Sequence, residues 1–241
     1  MLRGSALLSR WLGPDARAPR DIDWVVLAQD WTVSGDEADV MLEGIARQFT
    51  AAGRVGDIVL DPSWVVRDPI WTYERADGVR LTFAGHVEGL PPLKLQCDFV
   101  FGEVLWQPPV VSEWPVSPDT SVSVLTASPE VSLAWKLMWL LTDQYPQGKD
   151  LYDAVLLAER HALPPDLFHR VVDVVSTNNG TWWRSIPSEQ RVAELLSSKL
   201  GRVEWQGFVS EYPRIEPDPE IWVTRLRRAV PEVWEAHAWR S

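Results

Sequence analysis

The apolar residues of this chain change period once, near Ser128. Up to about residue 126 they come in short runs rich in β-branched and aromatic side chains, interrupted by Pro, Gly and Asp. From Ser128 onward they recur at helical spacing. Segments of period 2 and period 3.6 bury their apolar faces in different kinds of layer, so the break predicts a sheet-bearing part followed by a helical part. Residues 22–28, 57–60, 63–74, 79–87 and 93–101 read as strands, and 5–11 and 36–52 as helices. In the helix at 36–52, Val40, Met41, Ile45 and Phe49 fall near one face, Gly35 and Gly53 bracket the ends, and Asp36 is a candidate cap. Further on, Ser128-Pro129-Glu130 is a helix start with Pro at the first helical position. Helices are then expected at 149–162, 165–175 and 187–200, the last with Ser188 as cap, and in a terminal arm at 216–239 bent at Pro231. The stretch "PPVVSEWPVSP" over 108–118 reads as the joint. The expectation is an α+β protein, with a mixed-sheet core over 1–125 and a helical domain over 126–241.

A chain of 241 residues with 46% hydrophobic residues can bury a core of that size. Its 34 Asp+Glu against 23 Lys+Arg give a net charge of −11, which favours solubility and disfavours non-specific attachment to nucleic acid. An RNA partner must then be held through a local basic patch or through metal ions. The single cysteine, Cys97, excludes a disulfide framework, and no Cys/His spacing suggests a zinc site. Neither a signal peptide nor a membrane-spanning stretch is legible, so a cytoplasmic protein with no membrane partner is expected. Most of the fifteen tryptophans read as core filling.

The run "RDIDWVV" places Asp21 and Asp23 one residue apart at the start of a strand, on the same face, where their charges repel. Upstream, Gly4-Ser5 opens a helix, where backbone N–H groups and the helix dipole favour phosphate and Gly4 permits close approach. Downstream, Asp98 interrupts the apolar alternation of "LKLQCDFVF" and reads either as a third carboxylate at the same sheet edge or as a strand-end residue. Carboxylates so gathered can hold one or two Mg²⁺ ions, which bridge the phosphates of a nucleotide. Lys136 is a lone cation in the apolar helix "SLAWKLMWLL" and needs an anion. It is either a phosphate-binding lysine or one whose stem reaches the surface. "KDLYD", with Asp150 and Asp153, starts the next helix.

Gly-Ser, a helix, a strand with Asp-x-Asp and a later strand with Asp together resemble the DNA polymerase β-type nucleotidyltransferase superfamily. Adding Lys136 and "KDLYD", the order over roughly residues 3–157 resembles the AbiEii-type (MenT-like) nucleotidyltransferase toxins. The resemblance implies a nucleotidyltransferase core with a helical domain, Mg²⁺ as cofactor and a nucleoside triphosphate donor. It also implies an acceptor such as the tRNA 3′ end and a cognate antitoxin protein as partner. On matching positions, Asp21 and Asp23 would ligate metal, with Asp98 as a third ligand. Gly4, Ser5 and Lys136 would hold the triphosphate, and Asp150 would be the further acidic residue needed for activity, with Lys136 and Asp150 brought to the cleft by the helical domain. Arg17 and Arg20 would contact triphosphate or RNA, or else only neutralise the acidic cluster.

Three departures from the family pattern stand out. "GPDARAP" lengthens the connection from Gly4-Ser5 to Asp21, Pro19 stands where Ser or Thr is usual, and only Met-Leu-Arg stands ahead of the glycine where a strand or helix is expected. The reaction expected is attack of an acceptor hydroxyl on the α-phosphate with release of pyrophosphate. Two alternatives remain: a small-molecule or protein acceptor, and a non-catalytic member of the fold that binds nucleotide or protein.

Overall fold

Among the described residues, eight strands form one mixed sheet in the order β3-β4-β5-β6-β2-β1-β8-β7, parallel at β2–β6 and β1–β8 and antiparallel at the other pairings. The strands are β1 (Leu2–Arg3), β2 (Ile22–Val25), β3 (Arg54–Val55), β4 (Ile58–Thr72), β5 (Ala76–His86), β6 (Leu93–Val100), β7 (Val110–Ser117) and β8 (Thr120–Thr126). The structure is a computed structural model and describes residues 1–72, 76–117, 119–178 and 188–234. The chain forms two compact units. One comprises Met1–Ser9, Ala18–Leu105 and Pro109–Thr126, and the other Arg10–Arg17, Trp106–Pro108 and Ala127–Ser241. The protein is α+β, as the change of period predicts.

In the sheet unit, alternation decides which side chains meet. Helix α2 (Asp36–Ala52) packs on one face through Ala38 and Leu42 against Val79, Leu81 and Phe83 of β5 and Cys97 and Phe99 of β6. Successive strand residues point to opposite faces, so Arg80, Asp98 and Asp23 are carried on the other face. The apolar stripe of α2 is Ala38, Met41, Leu42, Ile45, Ala46 and Phe49. Val40, expected on it, is 68% exposed, because the stripe follows Ala38 and Leu42 at i and i+4 and leaves position 40 on the far side. Gly35, not Asp36, occupies the N-cap position, and Asp36 begins the helix, where its charge meets the dipole.

The segment 108–118 is a strand rather than a joint for most of its length. β7 forms an antiparallel hairpin with β8 at the sheet edge, where a proline costs no ladder bond, and the register shifts between Pro115 and Ser117. Residue 118 lies outside the described residues. The strand at 57–60 and that at 63–74 are one irregular strand, with a register shift between Leu60 and Val65 that accommodates Pro62; residues 73–75 lie outside the described residues. The strand expected at 22–28 ends at Val25. Met-Leu-Arg supplies β1, antiparallel to β2 and parallel to β8.

The second unit is built around α3 (Pro129–Thr142), whose residues from Val131 to Leu141 are buried. Ser128 caps it, accepting the Val131 N–H at 3.2 Å, with Pro129 in the first turn. Around it lie α4 (Gly148–Ala158), α5 (Pro165–Asn178) and α6 (Ser188–Leu200), with α7 (Trp205–Glu211) and α8 (Pro219–Ala229) against α4. A Cβ at Gly148 would meet the Glu204 carbonyl oxygen at 2.8 Å, so only glycine lets α4 begin there. The seven-residue α7, too short for a legible period, is an addition to the expected helices. Of the terminal arm, α8 and a 3₁₀ turn at Pro231–Val233 are formed. Pro187 and residues 235–239 lie outside the described residues. No helix among the described residues is long and apolar enough to cross a membrane.

Candidate active site

Register assembles a row of charges across the sheet. Arg3 of β1 stands opposite Asp23 of β2, Asp23 opposite Asp98 of β6, and Asp98 opposite Arg80 of β5. Residues directly opposite on neighbouring strands share a face, so two carboxylates are neighbours in a position that destabilises an ordinary sheet. Asp21, two residues before Asp23, joins them. One carboxylate oxygen from each of Asp21, Asp23 and Asp98 lies within 4.8 Å of the other two. Oxygen donors at that spacing suit a hard divalent cation.

The Gly4-Ser5 pair meets this row directly. Helix α1 (Gly4–Leu12) starts with Gly4 at φ +77°, a left-handed conformation that side chains disfavour. A Cβ there would lie 2.7 Å from Asp23 Cγ and collide with the carboxylate itself. Glycine is therefore required twice, by its backbone and by the aspartate packed against it. Ser5 is buried, and its Oγ has no hydrogen-bond partner among the described residues. A buried hydroxyl at a helix N-terminus, next in sequence to the glycine that packs against Asp23, suits a phosphate carried on a metal ion.

Two arginines of this unit were not singled out from sequence. Arg80 donates through Nε and Nη2 to the two oxygens of Asp98, each at 2.6 Å, and its Nη2 stands 3.8 Å from Asp21. Hydrogen bonding to Asp98 raises its pKa further above the ordinary value. Arg3, buried, donates to Glu103 at 2.6 Å. The available signal for Arg80 was a charge interrupting the apolar alternation of "VRLTF", as Asp98 interrupts "QCDFV". Cys97, on the α2 face, has its thiol pushed up to about 11, by burial first and by Asp98 second, and supplies no thiolate.

Lys136, Asp150, Asp153 and Arg17 gather inside the second unit. Lys136 is 4% exposed, with Nζ 2.7 Å from Asp150 and 2.8 Å from Asp153. Its anion is thus supplied by α4, and the stem does not reach the surface. Arg17 holds the other side of Asp153 through Nε at 3.1 Å and Nη2 at 3.0 Å. Burial works to lower the Lys136 pKa, but Asp150 and Asp153 outweigh it and the net shift is upward. Burial likewise works to raise Asp153, but Lys136 and Arg17 hold it below the usual carboxylate range. Arg17, from the inserted "GPDARAP", is therefore an internal partner of "KDLYD". The same insertion accepts the Tyr152 hydroxyl at the Asp15 carbonyl, 2.6 Å away. Arg20 also has an interaction partner.

Comparison with known proteins follows this geometry. Residues 1–237 match the family model described as nucleotidyl transferase AbiEii toxin of type IV toxin–antitoxin systems. Among solved structures, the nucleotidyltransferase toxin MenT4 from Mycobacterium tuberculosis H37Rv is similar at 17% identity and a TM-score of 0.49, over 100% of this chain and 85% of that one. No sequence match is found among curated proteins. With the family model matching nearly its whole length, the chain belongs to the AbiEii family of nucleotidyltransferase toxins.

Proposed function

We propose that the protein transfers a nucleoside monophosphate from a nucleoside triphosphate to an acceptor hydroxyl, with Mg²⁺ as cofactor. The observation that carries this reading is the apposition of Gly4 to Asp23, with the orphaned Ser5 hydroxyl beside it. Asp21 and Asp23 would hold the cation, and the register that forces Asp23 beside Asp98 is a cost that a bound cation removes. When bound, Mg²⁺ would supply positive charge to the phosphates and to the attacking oxygen.

The chain's own groups position the reactants. The first N–H groups of α1 and Ser5 Oγ donate to phosphate oxygens, and Gly4 allows that helix start to lie against Asp23 without a side chain between them. Positioning and charge stabilisation then carry most of the catalysis, as is general where a phosphoryl group moves between oxygens. In the family's pattern Lys136 binds triphosphate and Asp150 supports activity. Their mutual ion pair fixes both side chains before any substrate arrives. The acceptor we infer is the 3′ end of tRNA, because a strand terminus entering a metal site needs few phosphate contacts and suits a chain of net charge −11. A cognate antitoxin is the expected protein partner, from the family's toxin–antitoxin character.

The test is label transfer from each of four α-labelled triphosphates to bulk tRNA with Mg²⁺. Transfer by the native chain that Asp21→Ala and Asp23→Ala abolish is the expected result. No transfer, or transfer unchanged in both variants, refutes the proposal.

A further inference from the structure

Asp98 of the acidic cluster already has a cationic partner, and that cation belongs to the chain. Arg80 engages both oxygens of Asp98 with a planar two-pronged contact at 2.6 Å per bond. The pairing is built in by register, since Arg80 lies directly opposite Asp98 on the face away from α2. Asp98 is 4% exposed, so water is a poor replacement for its partner, whereas the Arg80 side chain is 30% exposed. A guanidinium carries five N–H donors in a fixed fork. With Nε and Nη2 turned to Asp98, the Nη1 donors remain for a further acceptor, and Nη2 stands 3.8 Å from Asp21.

We propose that Asp98 is the anchor of Arg80 rather than a third metal ligand, and that the anchored guanidinium binds phosphate oxygens arriving with the cation on Asp21 and Asp23. The inference rests on the nucleotidyltransferase reading above and deepens it. Two carboxylates with substrate phosphates are a sufficient set for Mg²⁺, which keeps several waters. An arginine fixed by a carboxylate gives up less freedom on meeting phosphate than one searching in solvent.

Charge counting makes the proposal testable without turnover. Removing Arg80 alone makes the cluster more negative by one charge and makes Asp98 available. Removing Asp98 alone leaves Arg80 to compete with the cation for Asp21, 3.8 Å away. Removing both takes away a neutral pair and leaves the local net charge as it was.

Mn²⁺ binding by calorimetry, on the native full chain, D23N, R80Q, D98N and D98N/R80Q, reads this directly. The expected pattern is tighter Mn²⁺ in R80Q, weaker in D98N, and the double variant within about threefold of native. A double variant about tenfold or more weaker than native, as loss of a metal ligand produces, overturns the anchor role. With the four α,β-methylene triphosphates and Mn²⁺, R80Q should bind about tenfold more weakly despite its tighter metal. Unchanged analogue binding in R80Q overturns the phosphate role. Mn²⁺ binding that is absent in the native chain, or that D23N leaves intact, overturns the metal reading itself and this inference with it. Circular dichroism checks folding. If the double variant does not fold, D98V/R80L takes its place in the cycle, since an apolar pair of similar bulk is often tolerated where an ion pair stood.

Discussion

Gly4→Ala isolates the contact on which the proposed site depends. At φ +77° a non-glycine residue is strained, at a cost of about 1–3 kcal/mol of stability. The new methyl would also collide with Asp23 Oδ2 and lie 2.7 Å from its Cγ, where ordinary contact begins at 3.4 Å, so the carboxylate must retreat by at least about 0.7 Å. Misplacing a catalytic group by roughly an ångström costs on the order of 100-fold in rate. Gly13→Ala is the matched control, since Gly13 has φ +57° and no atom within 4 Å of its added Cβ. Urea unfolding should show both variants destabilised by the shared backbone penalty, with a larger loss in Gly4→Ala from the displacement of Asp23. Label transfer should fall about 100-fold in Gly4→Ala only, with weaker Mn²⁺ binding in the same variant. Native transfer and native Mn²⁺ affinity in a folded Gly4→Ala chain would refute the reasoning, as would an equal loss of activity in Gly13→Ala.

Other expectations concern the buried charges and the core. Lys136→Met leaves Asp150 without its ion-pair partner and Asp153 with Arg17 alone, and should cost about 3–5 kcal/mol in denaturant unfolding; a loss below about 1 kcal/mol contradicts the network. Asp153 is held below its ordinary pKa of 3.8, so its stabilisation is present above that value and is lost as pH falls through the folded-state pKa. Stability should therefore decline with acid from about pH 4 downward, and Asp153→Asn should flatten that limb when unfolding midpoints are followed against pH. On α2, Leu42→Ala should cost about 2–5 kcal/mol, whereas Val40→Thr should stay within about 0.5 kcal/mol. Comparable losses at the two positions would show that the helix face is assigned wrongly.

Several elements were legible because their signals are local. The helix at 36–52 carries its glycines and its period within its own residues, and the structure places it at Asp36–Ala52. The start of α3 is equally readable, since Ser128 and Pro129 act on N–H groups three residues away. Val40 was misplaced because a stripe read from periodicity alone can be rotated until its buried partners are known. β7 was hidden for a related reason. Its Pro115 argues against a central strand, and nothing in residues 108–118 tells that β7 lies at a sheet edge, where a proline is tolerated.

The site divides along the same line. Gly4, Ser5, Asp21, Asp23 and Lys136 were marked by residue type and spacing, since a like-charged pair on one strand face and a lysine in an apolar helix are costs visible in one dimension, whereas Asp150 was marked only through the family resemblance. What holds each of them is a matter of register and packing. Arg80 meets Asp98 because β5 and β6 pair with those residues opposite. Arg17 meets Asp153 although 136 residues separate them, which no local pattern encodes. Charge–charge and hydrogen-bond energies depend on distance in space, whereas a sequence specifies distance along the chain. Residue type and period thus indicated which charges are costly and where β2, β4, β5 and β6 lie, and folding in three dimensions assigned each of those charges its partner.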